Sequence, residues 1–167
     1  MIVLDALDSA LLVELARNPR IAVLELASRL GVSRNTVHAR MKRLEVDGAV
    51  SGYRAEINWL AMGLPVLAFV SLEIDQRKMR VVIDELRKLP YVIEAHAATG
   101  REDLLVRVAA ESHEKLLEMI QTVHAIDGVA HTETALALAT PIRYRIQPIL
   151  DHVAGLRAGL SPANSPA

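Results

Sequence analysis

Hydrophobic residues in the first fifty positions recur at the three- and four-residue spacing of amphipathic helices. A first helix begins near Asp5, which can cap the first turn, and is stopped by Asn18-Pro19. Its apolar stripe consists of Leu7, Leu11, Leu12 and Leu15. A second, shorter helix is expected at about residues 23–30, although Ala22 is a poor cap for it. Gly31 then breaks the chain before a third helix.

The third helix, at residues 33–46, has the clearest end signals. Ser33 is a good N-cap, and Gly48 suits a left-handed turn after the last helical residue. Val32 and Val37 are spaced for a hydrophobic staple across the N-terminus. The buried face consists of Val37, Met41 and Leu44. Two short helices around a glycine turn predict a helix-turn-helix between residues 21 and 46.

The second half of the chain alternates strand and helix spacing. A short strand at Val50–Ala55 and an irregular linker at residues 56–64 precede it. The elements then expected are a strand at Leu64–Ile74, a helix at Arg77–Leu89, strands at Val92–Ala98 and Leu104–Ala109, a helix at His113–His124 and a strand at Val129–Ala139. This is the β-α-β-β-α-β order of a ferredoxin-like domain.

The predicted fold class is therefore α+β, with an N-terminal helix-turn-helix domain, a hinge strand and a C-terminal ferredoxin-like domain. The domain boundaries follow as 1–48 for the helix-turn-helix domain, 49–63 for the hinge strand and linker, 64–150 for the ferredoxin-like domain, and 151–167 for a mobile tail. Both predicted helices of the second half would cover one face of the sheet. The other face carries Phe69 and Leu105, and a second subunit is its simplest cover, which predicts a homodimer.

Charge is distributed unevenly, although the net charge of the 167 residues is only −1. The segment from Arg17 to Arg54 holds eight basic and three acidic residues, a net charge of +5, which leaves −6 for the rest. A basic stretch around a helix-turn-helix is the electrostatic pattern of a DNA-binding module. The chain therefore joins a basic module to an acidic one.

Composition excludes several other classes of protein. The chain has no cysteine, so disulfides, zinc-thiolate sites and thiol nucleophiles are excluded. Aromatic residues make up 3%, too few for a surface that stacks nucleic-acid bases. Asp5 and Asp8 interrupt the N-terminus where a signal peptide needs a basic and then an apolar run. With no membrane-spanning apolar run, the expectation is a cytoplasmic, nucleoid-associated protein without a metal or cofactor.

The exposed face of the third helix supplies the candidate DNA contacts. Arg34, Asn35 and His38 are placed to contact base edges, since arginine suits guanine and asparagine suits adenine. Phosphate contacts are assigned to Arg20, Arg40, Lys42 and Arg43. The complete predicted set is Arg20, Ser33, Arg34, Asn35, Thr36, His38, Arg40, Lys42 and Arg43. Arg40 is unusual, because many such helices carry an apolar residue there; Met41 takes the inward role.

Up to about Ala139, the sequence resembles the leucine-responsive/asparagine-responsive (Lrp/AsnC) family of regulators. The N-terminal matches are Leu4-Asp5, Asp8, Asn18, Arg20, Glu25-Leu26-Ala27, Gly31-Val32-Ser33, Val37 and residues 40–45 and 48–53. The C-terminal matches are Gly63, residues 68–70, Thr99-Gly100, residues 103–105, Gly128-Val129, Thr132 and Thr134. Ala22, the charged pair Arg101-Glu102 and the segment 140–145 depart from the family pattern.

The resemblance implies a DNA-binding regulator that is not an enzyme and whose DNA binding or assembly responds to a small effector, usually an amino acid. It implies dimers that assemble further into tetramers or octamers. It also implies that the effector binds between subunits near the glycine-containing loop. The candidate effector residues are Gly100, Arg101, Glu102, Asp103, Thr132 and Thr134.

Two alternatives stay open on the sequence alone. The first is an enzyme similar to the haem-precursor decarboxylases of related fold, for which six histidines are available; of these, His96 and His131 fall on predicted strands and could approach each other. The others are His38, His113, His124 and His152. The second is a metabolite-binding module without DNA binding. The basic third helix argues against both, and no catalytic triad or phosphate loop is evident.

Overall fold

The computed structural model of the protein describes residues 3–159, and side chains up to residue 153. The chain forms two compact units. One comprises the N-terminal segment up to residue 56 together with residues from 143 onward, and the other comprises residues 57–142. In chain order the helices are α1 (Ala6–Arg17), α2 (Val23–Leu30), α3 (Arg34–Val46), α4 (Met79–Leu86), α5 (His113–His124) and α6 (Gln147–Gly159). The strands are β1 (Val66–Ile74), β2 (Val92–Ala97), β3 (Leu104–Ala110) and β4 (Val129–Leu136).

The first unit begins with the predicted three helices, and their caps explain their starts. The Asp5 carboxylate accepts from the backbone N–H of Asp8 at 2.8 Å, while Asp8 accepts from the backbone N–H of Asp5 at 2.9 Å, a reciprocal capping box. Ala22 makes no side-chain cap, as expected, and Ser33 caps α3 through the backbone N–H of Thr36. The buried core of the three helices consists of Leu11, Leu12, Leu15, Ile21, Leu26, Ala27, Val37 and Leu44.

The second unit is a four-stranded antiparallel sheet in the order β2-β3-β1-β4, which confirms the ferredoxin-like order β1-α4-β2-β3-α5-β4. Alternation along β1 places five residues on the buried face between the sheet and helices α4 and α5. Val82, Leu86, Leu116, Met119 and Val123 supply the helical side of this core. Gly128, at φ +105°, directly precedes β4, and a Cβ there would lie 2.6 Å from the Cβ of Lys78, so only glycine fits.

The described residues do not form the predicted hinge strand. Within the described part of the chain, residues 50–55 pair with no strand, and the four strands of the sheet all lie beyond residue 65. Tyr53 instead donates its hydroxyl hydrogen to Glu45 near the end of α3, at 2.9 Å. The segment is thus held by a side chain of the helical unit, and an extended segment without a neighbouring ladder is not a strand.

The C-terminal boundary also differs from the prediction. Residues from 143 onward belong to the helical unit, whereas residues 64–150 were expected to form one domain. Residues 147–159 form α6, where a mobile tail was expected from residue 151 or 155. Leu150 of α6 packs against the core of the first three helices, so an apolar contact, which the polar composition of the tail obscured, accounts for the difference. Residues 160–167 lie outside the described residues. Among residues 3–159, no helix combines the length and apolar character needed to cross a bilayer.

Candidate nucleic-acid interface and effector loop

The outer face of α3 presents polar side chains that are not used inside the chain. Arg34, Asn35, His38 and Lys42 are exposed on this helix, opposite the buried Val37. Within residues 3–153, no hydrogen bond or ion pair engages their side chains. A helix with free donors on its outer face can enter the major groove and reach base edges. Exposed Arg20, which follows α1, is similarly free.

Two other members of the predicted set have a local task at the start of α3. The Ser33 hydroxyl accepts from the backbone N–H of Thr36 at 3.1 Å and lies 2.9 Å from the Thr36 hydroxyl. Both hydroxyls therefore hold the first turn of the helix. They present the N-terminus of α3 and its unpaired backbone N–H groups, which suit a phosphate.

Arg40 and Arg43 are engaged with α1. Arg40 donates through Nη1 to the carboxylate of Asp5 and, at 3.1 Å, to Oδ1 of Asp8, while Arg43 donates through Nη2 to Oδ2 of Asp8. The Asp8 side chain is 0% exposed, against 30% for Arg40 and 42% for Arg43. A fully buried carboxylate requires such partners, because removing one partner from a buried pair costs about 3–5 kcal/mol.

The pKa shifts of Asp5 and Arg40 agree with these ion pairs. Burial alone would raise the pKa of Asp5, but the backbone hydrogen bond from Asp8 and the Arg40 guanidinium together lower that pKa below its ordinary value. The hydrogen bonds to Asp5 and Asp8 raise the pKa of Arg40. Both shifts favour the charged forms of Asp5 and Arg40. The sequence offered one signal for it, a polar Arg40 at an inward position of α3.

The division into units also revises the charge asymmetry. The helical unit, with its C-terminal segment, has eleven basic and eight acidic residues, and the sheet unit has eight basic and twelve acidic ones. The net charges are +3 and −4, in place of the +5 and −6 obtained from the segment 17–54. The sign of the asymmetry is retained. Its size falls because the acidic residues of α1, Asp5, Asp8 and Glu14, lie in the same unit as the basic helix.

The predicted effector loop lies between β2 and β3, at the end of the sheet where β1 finishes. Gly100 has φ +122°, and the loop is closed by a hydrogen bond from Ala98 N–H to the Asp103 carbonyl at 2.9 Å. The carboxylate of Asp103 accepts from Ile74 N–H at 2.7 Å and from the Gln76 amide. Asp103 thus ties the loop to the end of β1.

The neighbouring side chains of the loop are free. Arg101 is exposed and Glu102 half-buried, and within residues 3–153 neither side chain makes a hydrogen bond or ion pair. One is a cation and the other an anion, so together they match the carboxylate and ammonium of an amino acid. The unpaired charges of the loop are therefore on these two residues, whereas the carboxylate of Asp103 is hydrogen-bonded to Ile74 and Gln76.

Thr132 and Thr134 lie on β4, on the far side of β1 from the loop. Thr132 pairs with Leu72 and Thr134 with Val70, so both threonines share the helix-covered face of the sheet with those two residues. The backbone N–H of Asp103 donates to the Leu72 carbonyl, so Thr132 and the loop flank the same point of β1. Thr134 lies two residues further into the sheet.

A separate cavity of about 780 Å³ lies on the helical side of the sheet unit. Its lining includes Val81, Glu85, Glu118 and Asp127, and none of the six predicted effector residues takes part. The predicted effector residues therefore do not line this concavity of the single chain.

The histidine pair considered for catalysis is separated by the fold. His96 lies on β2 and His131 on β4, the two opposite edges of the sheet, with β3 and β1 between them. Three strand spacings of about 4.8 Å each separate them. Among the described residues, no group of three or more histidine, aspartate or glutamate side chains is arranged to hold a metal ion.

Comparisons with known proteins match both units. Residues 4–45 match the AsnC-type helix-turn-helix domain, and residues 67–146 match the Lrp/AsnC ligand binding domain. The regulatory protein AsnC of Escherichia coli (strain K12) is 31% identical over 147 residues, which cover 87% of this chain and 97% of that protein. The chain belongs to the Lrp/AsnC family. It is a helix-turn-helix transcriptional regulator with a C-terminal ligand-binding domain.

Solved structures of Lrp/AsnC-type regulators share the fold. The structure of E. coli AsnC has a TM-score of 0.81 at 30% identity, covering 88% of this chain and all of that one. A transcriptional regulator of Neisseria meningitidis in complex with L-Met has a TM-score of 0.84 at 25% identity, covering 90% and 99% of the two chains. These relatives are transcriptional regulators.

Proposed function

We propose that this regulator binds double-stranded DNA as a homodimer through the free outer face of α3 and that an amino acid bound at the loop 100–103 modulates this binding. The observation that carries the DNA-binding role is the set of exposed, unengaged side chains Arg34, Asn35, His38 and Lys42 on one helix. Two copies of α3 would read two half-sites separated by whole turns of the duplex. A DNA-binding regulator of this kind acts at the nucleoid, in the cytoplasm.

Base readout is tested by replacing Arg34 or Asn35 with Ala. Each bidentate contact contributes about 1–3 kcal/mol of discrimination between bases, so either substitution is expected to relax base preference at one position of the half-site. The measurement is selection of binding sites from a random DNA library with wild-type and variant protein. Lys42→Gln is the matched control, because loss of a phosphate contact weakens binding to all sequences without changing the selected motif. An unchanged motif for both Arg34→Ala and Asn35→Ala would remove them from base readout.

The dimer is proposed to form through the uncovered face of the sheet. Arg107 lies in the middle of this face, where it pairs with Phe69 on β1 and Glu94 on β2. Leu105 lies on the same face. Phe69 and Leu105 are 38% and 37% exposed. The face carries apolar, basic and acidic groups together, so it is complementary to a second copy of itself across a two-fold axis. Tetramers and octamers would build on this dimer.

The effector is proposed to be an amino acid, as the L-Met complex of the Neisseria relative suggests. Glu102 is assigned to the ammonium and Arg101 to the carboxylate, with Gly100 giving backbone access, Asp103 holding the loop on β1, and Thr132 and Thr134 flanking it. A charge-assisted hydrogen bond contributes about 1.5–3 kcal/mol, so Glu102→Gln is expected to weaken binding at least about tenfold.

The measurement is calorimetric titration with L-Met and a panel of other amino acids, followed by DNA binding with any that bind. Glu111→Gln is the matched control, since Glu111 is an exposed acid of the same unit outside the loop. If Arg101→Gln and Glu102→Gln both bind the effector as the wild type does, the assignment of the loop is wrong. A typical coupling of about 1–3 kcal/mol between effector and DNA binding is enough for regulation.

A further inference from the structure

The acidic N-terminus of α1 faces two arginines of α3. Both oxygens of the Asp8 carboxylate are engaged, Oδ1 by Arg40 at 3.1 Å and Oδ2 by Arg43 and the backbone N–H of Asp5. The Asp5 carboxylate takes a further hydrogen bond from Arg40. These four side chains, Asp5, Asp8, Arg40 and Arg43, are called the α1–α3 cluster below.

The α1–α3 cluster is neutral as a whole, because it contains two carboxylates and two guanidinium groups. DNA affinity depends on salt because cations that neutralise phosphates release the counterions condensed on the duplex. An arginine whose charge is already matched by a buried carboxylate adds little to that release. The free cations of the same region, Arg34 and Lys42, have no such partner within the described side chains.

We propose that Asp5 and Asp8 are positioning residues for DNA binding. They hold Arg40 and Arg43 against α1 as a neutral cluster and so withhold two positive charges of α3 from the DNA phosphates. Phosphate contacts then come from Arg20 and Lys42. This inference rests on the proposed DNA-binding role of α3.

Withholding these charges has a consequence for specificity. Phosphate contacts increase affinity for every sequence equally, whereas base contacts by Arg34 and Asn35 discriminate between sequences. A recognition helix with two more free arginines would bind non-target DNA more tightly without reading it better. The cluster therefore raises the ratio of specific to non-specific binding while it fixes α3 on α1.

The test uses Asp5→Asn in the full-length protein. Asparagine caps a helix as well as aspartate does, so α1 keeps its N-cap while the cluster gains a net charge of +1. The measurement is affinity for a mixed-sequence DNA duplex by fluorescence anisotropy over a series of salt concentrations. We expect tighter binding at low salt and a slope of log K against log salt that is steeper by about 0.9 for each subunit.

The double variant Asp5→Asn/Arg40→Gln makes the cluster neutral again, since Asp8 and Arg43 remain as a pair. We expect its slope to return to the wild-type value, a rescue that a purely structural role of Asp5 would not produce. Glu118→Gln is the charge-matched control: Glu118 pairs with Lys115 in the sheet unit, and its loss is expected to leave the slope unchanged.

An unchanged or shallower slope for Asp5→Asn would overturn the proposal, because it would mean that Arg40 already contacts phosphates in the wild type. An equal steepening by Glu118→Gln would overturn it too, since net charge alone would then account for the effect. Failure of wild-type protein to bind any DNA would instead defeat the proposed function, so the two failures are distinguishable. Circular dichroism of each variant reports whether the helices are retained.

Discussion

The two units of this chain treat their buried charged groups in opposite ways. In the helical unit, the fully buried carboxylate of Asp8 is paired with two arginines of the same chain. In the sheet unit, Arg107 reaches Glu94 through Nη1 at 3.3 Å, but its Nε is buried and has no hydrogen-bond acceptor among the described residues. A buried donor left without a partner is costly. The helical unit thus satisfies its buried charge within one copy, whereas the sheet unit leaves a buried donor without an acceptor among the described residues, on the strand face proposed above to bind a second copy.

The strongest challenge to this contrast is Phe69→Asp. Because Phe69 lies beside Arg107 on the uncovered face, a charge there should cost the proposed dimer at least the roughly 2 kcal/mol typical of a hot-spot residue. The dimer dissociation constant is then expected to rise at least about thirtyfold, so the dimer dissociates at a correspondingly higher protein concentration than the wild type. Sedimentation velocity over a range of protein concentrations measures this change.

Leu117→Asp is the matched control for Phe69→Asp. Leu117 is a large apolar residue of the same unit and is 56% exposed, but it lies on α5, on the helical side of the sheet. Its substitution is expected to leave the dimer intact. Dissociation by Leu117→Asp and not by Phe69→Asp would place the interface on the helices and remove the argument from Arg107.

Local signals were sufficient to predict most of the fold. Capping residues such as Ser33 and Ser112 and the glycine turn at Gly31 act within a few residues of the helix ends that they define, so α3 and α5 were located correctly. The strand predicted at residues 50–55 is not formed in the single chain, because a short local pattern does not supply the neighbouring strand that a ladder needs. Helix α6 was missed because its contact with the N-terminal core joins residues far apart in the sequence.

The candidate sites show the same limit more sharply. Spacing alone placed Arg34, Asn35, His38 and Lys42 on the outer face of α3, and the structure agrees with their exposure. The ion pairs of Arg40 and Arg43 were not predicted, because their partners on α1 lie 32 to 35 residues earlier in the chain; their assignment to phosphates stays a prediction. Asp103 is likewise one of the candidate effector residues, and the sequence did not predict that its carboxylate accepts hydrogen bonds from Ile74 and Gln76.

Helix α6 packs on the core of the helical unit, and this contact gives a second prediction. The family match ends at residue 146, and α6 begins at Gln147. Leu150→Ala removes a half-buried side chain from the core of the first three helices, so it is expected to destabilise that unit by about 1 kcal/mol, less than a fully buried leucine would. Amide hydrogen exchange measures this as reduced protection of α1, with the sheet unit unchanged.

Ile149→Ala provides the comparison for Leu150→Ala. It removes a similar side chain from the adjacent, exposed position of α6 and is expected to change the exchange of α1 little. Equal effects of the two substitutions, or none from either, would show that α6 does not belong to the helical unit in solution.

The smallest expected effect concerns the pH dependence of the α1–α3 cluster. Since Arg40 and the backbone of Asp8 lower the pKa of Asp5 in spite of burial, the ionised carboxylate stabilises the folded state above its ordinary pKa of 3.8. This contribution is present at neutral pH and is lost as the pH falls through the lowered pKa of the folded protein. Asp5 is half-exposed, so solvent screening limits the contribution to about a few tenths of a kcal/mol.

Urea unfolding of wild-type protein and Asp5→Asn at a series of pH values measures this contribution. The free energies of unfolding are expected to differ most between about pH 5 and 7 and to converge as the pH falls below the lowered pKa of Asp5 in the folded protein. Asp47→Asn, at an exposed position after α3, is the control for removal of one carboxylate from the helical unit. A gap that stays constant as the pH falls below that pKa would mean that the effect of Asp5 comes from its cap and not from its charge. The pairing that satisfies the buried charge of the helical unit within one copy would then owe nothing to Asp5 ionisation.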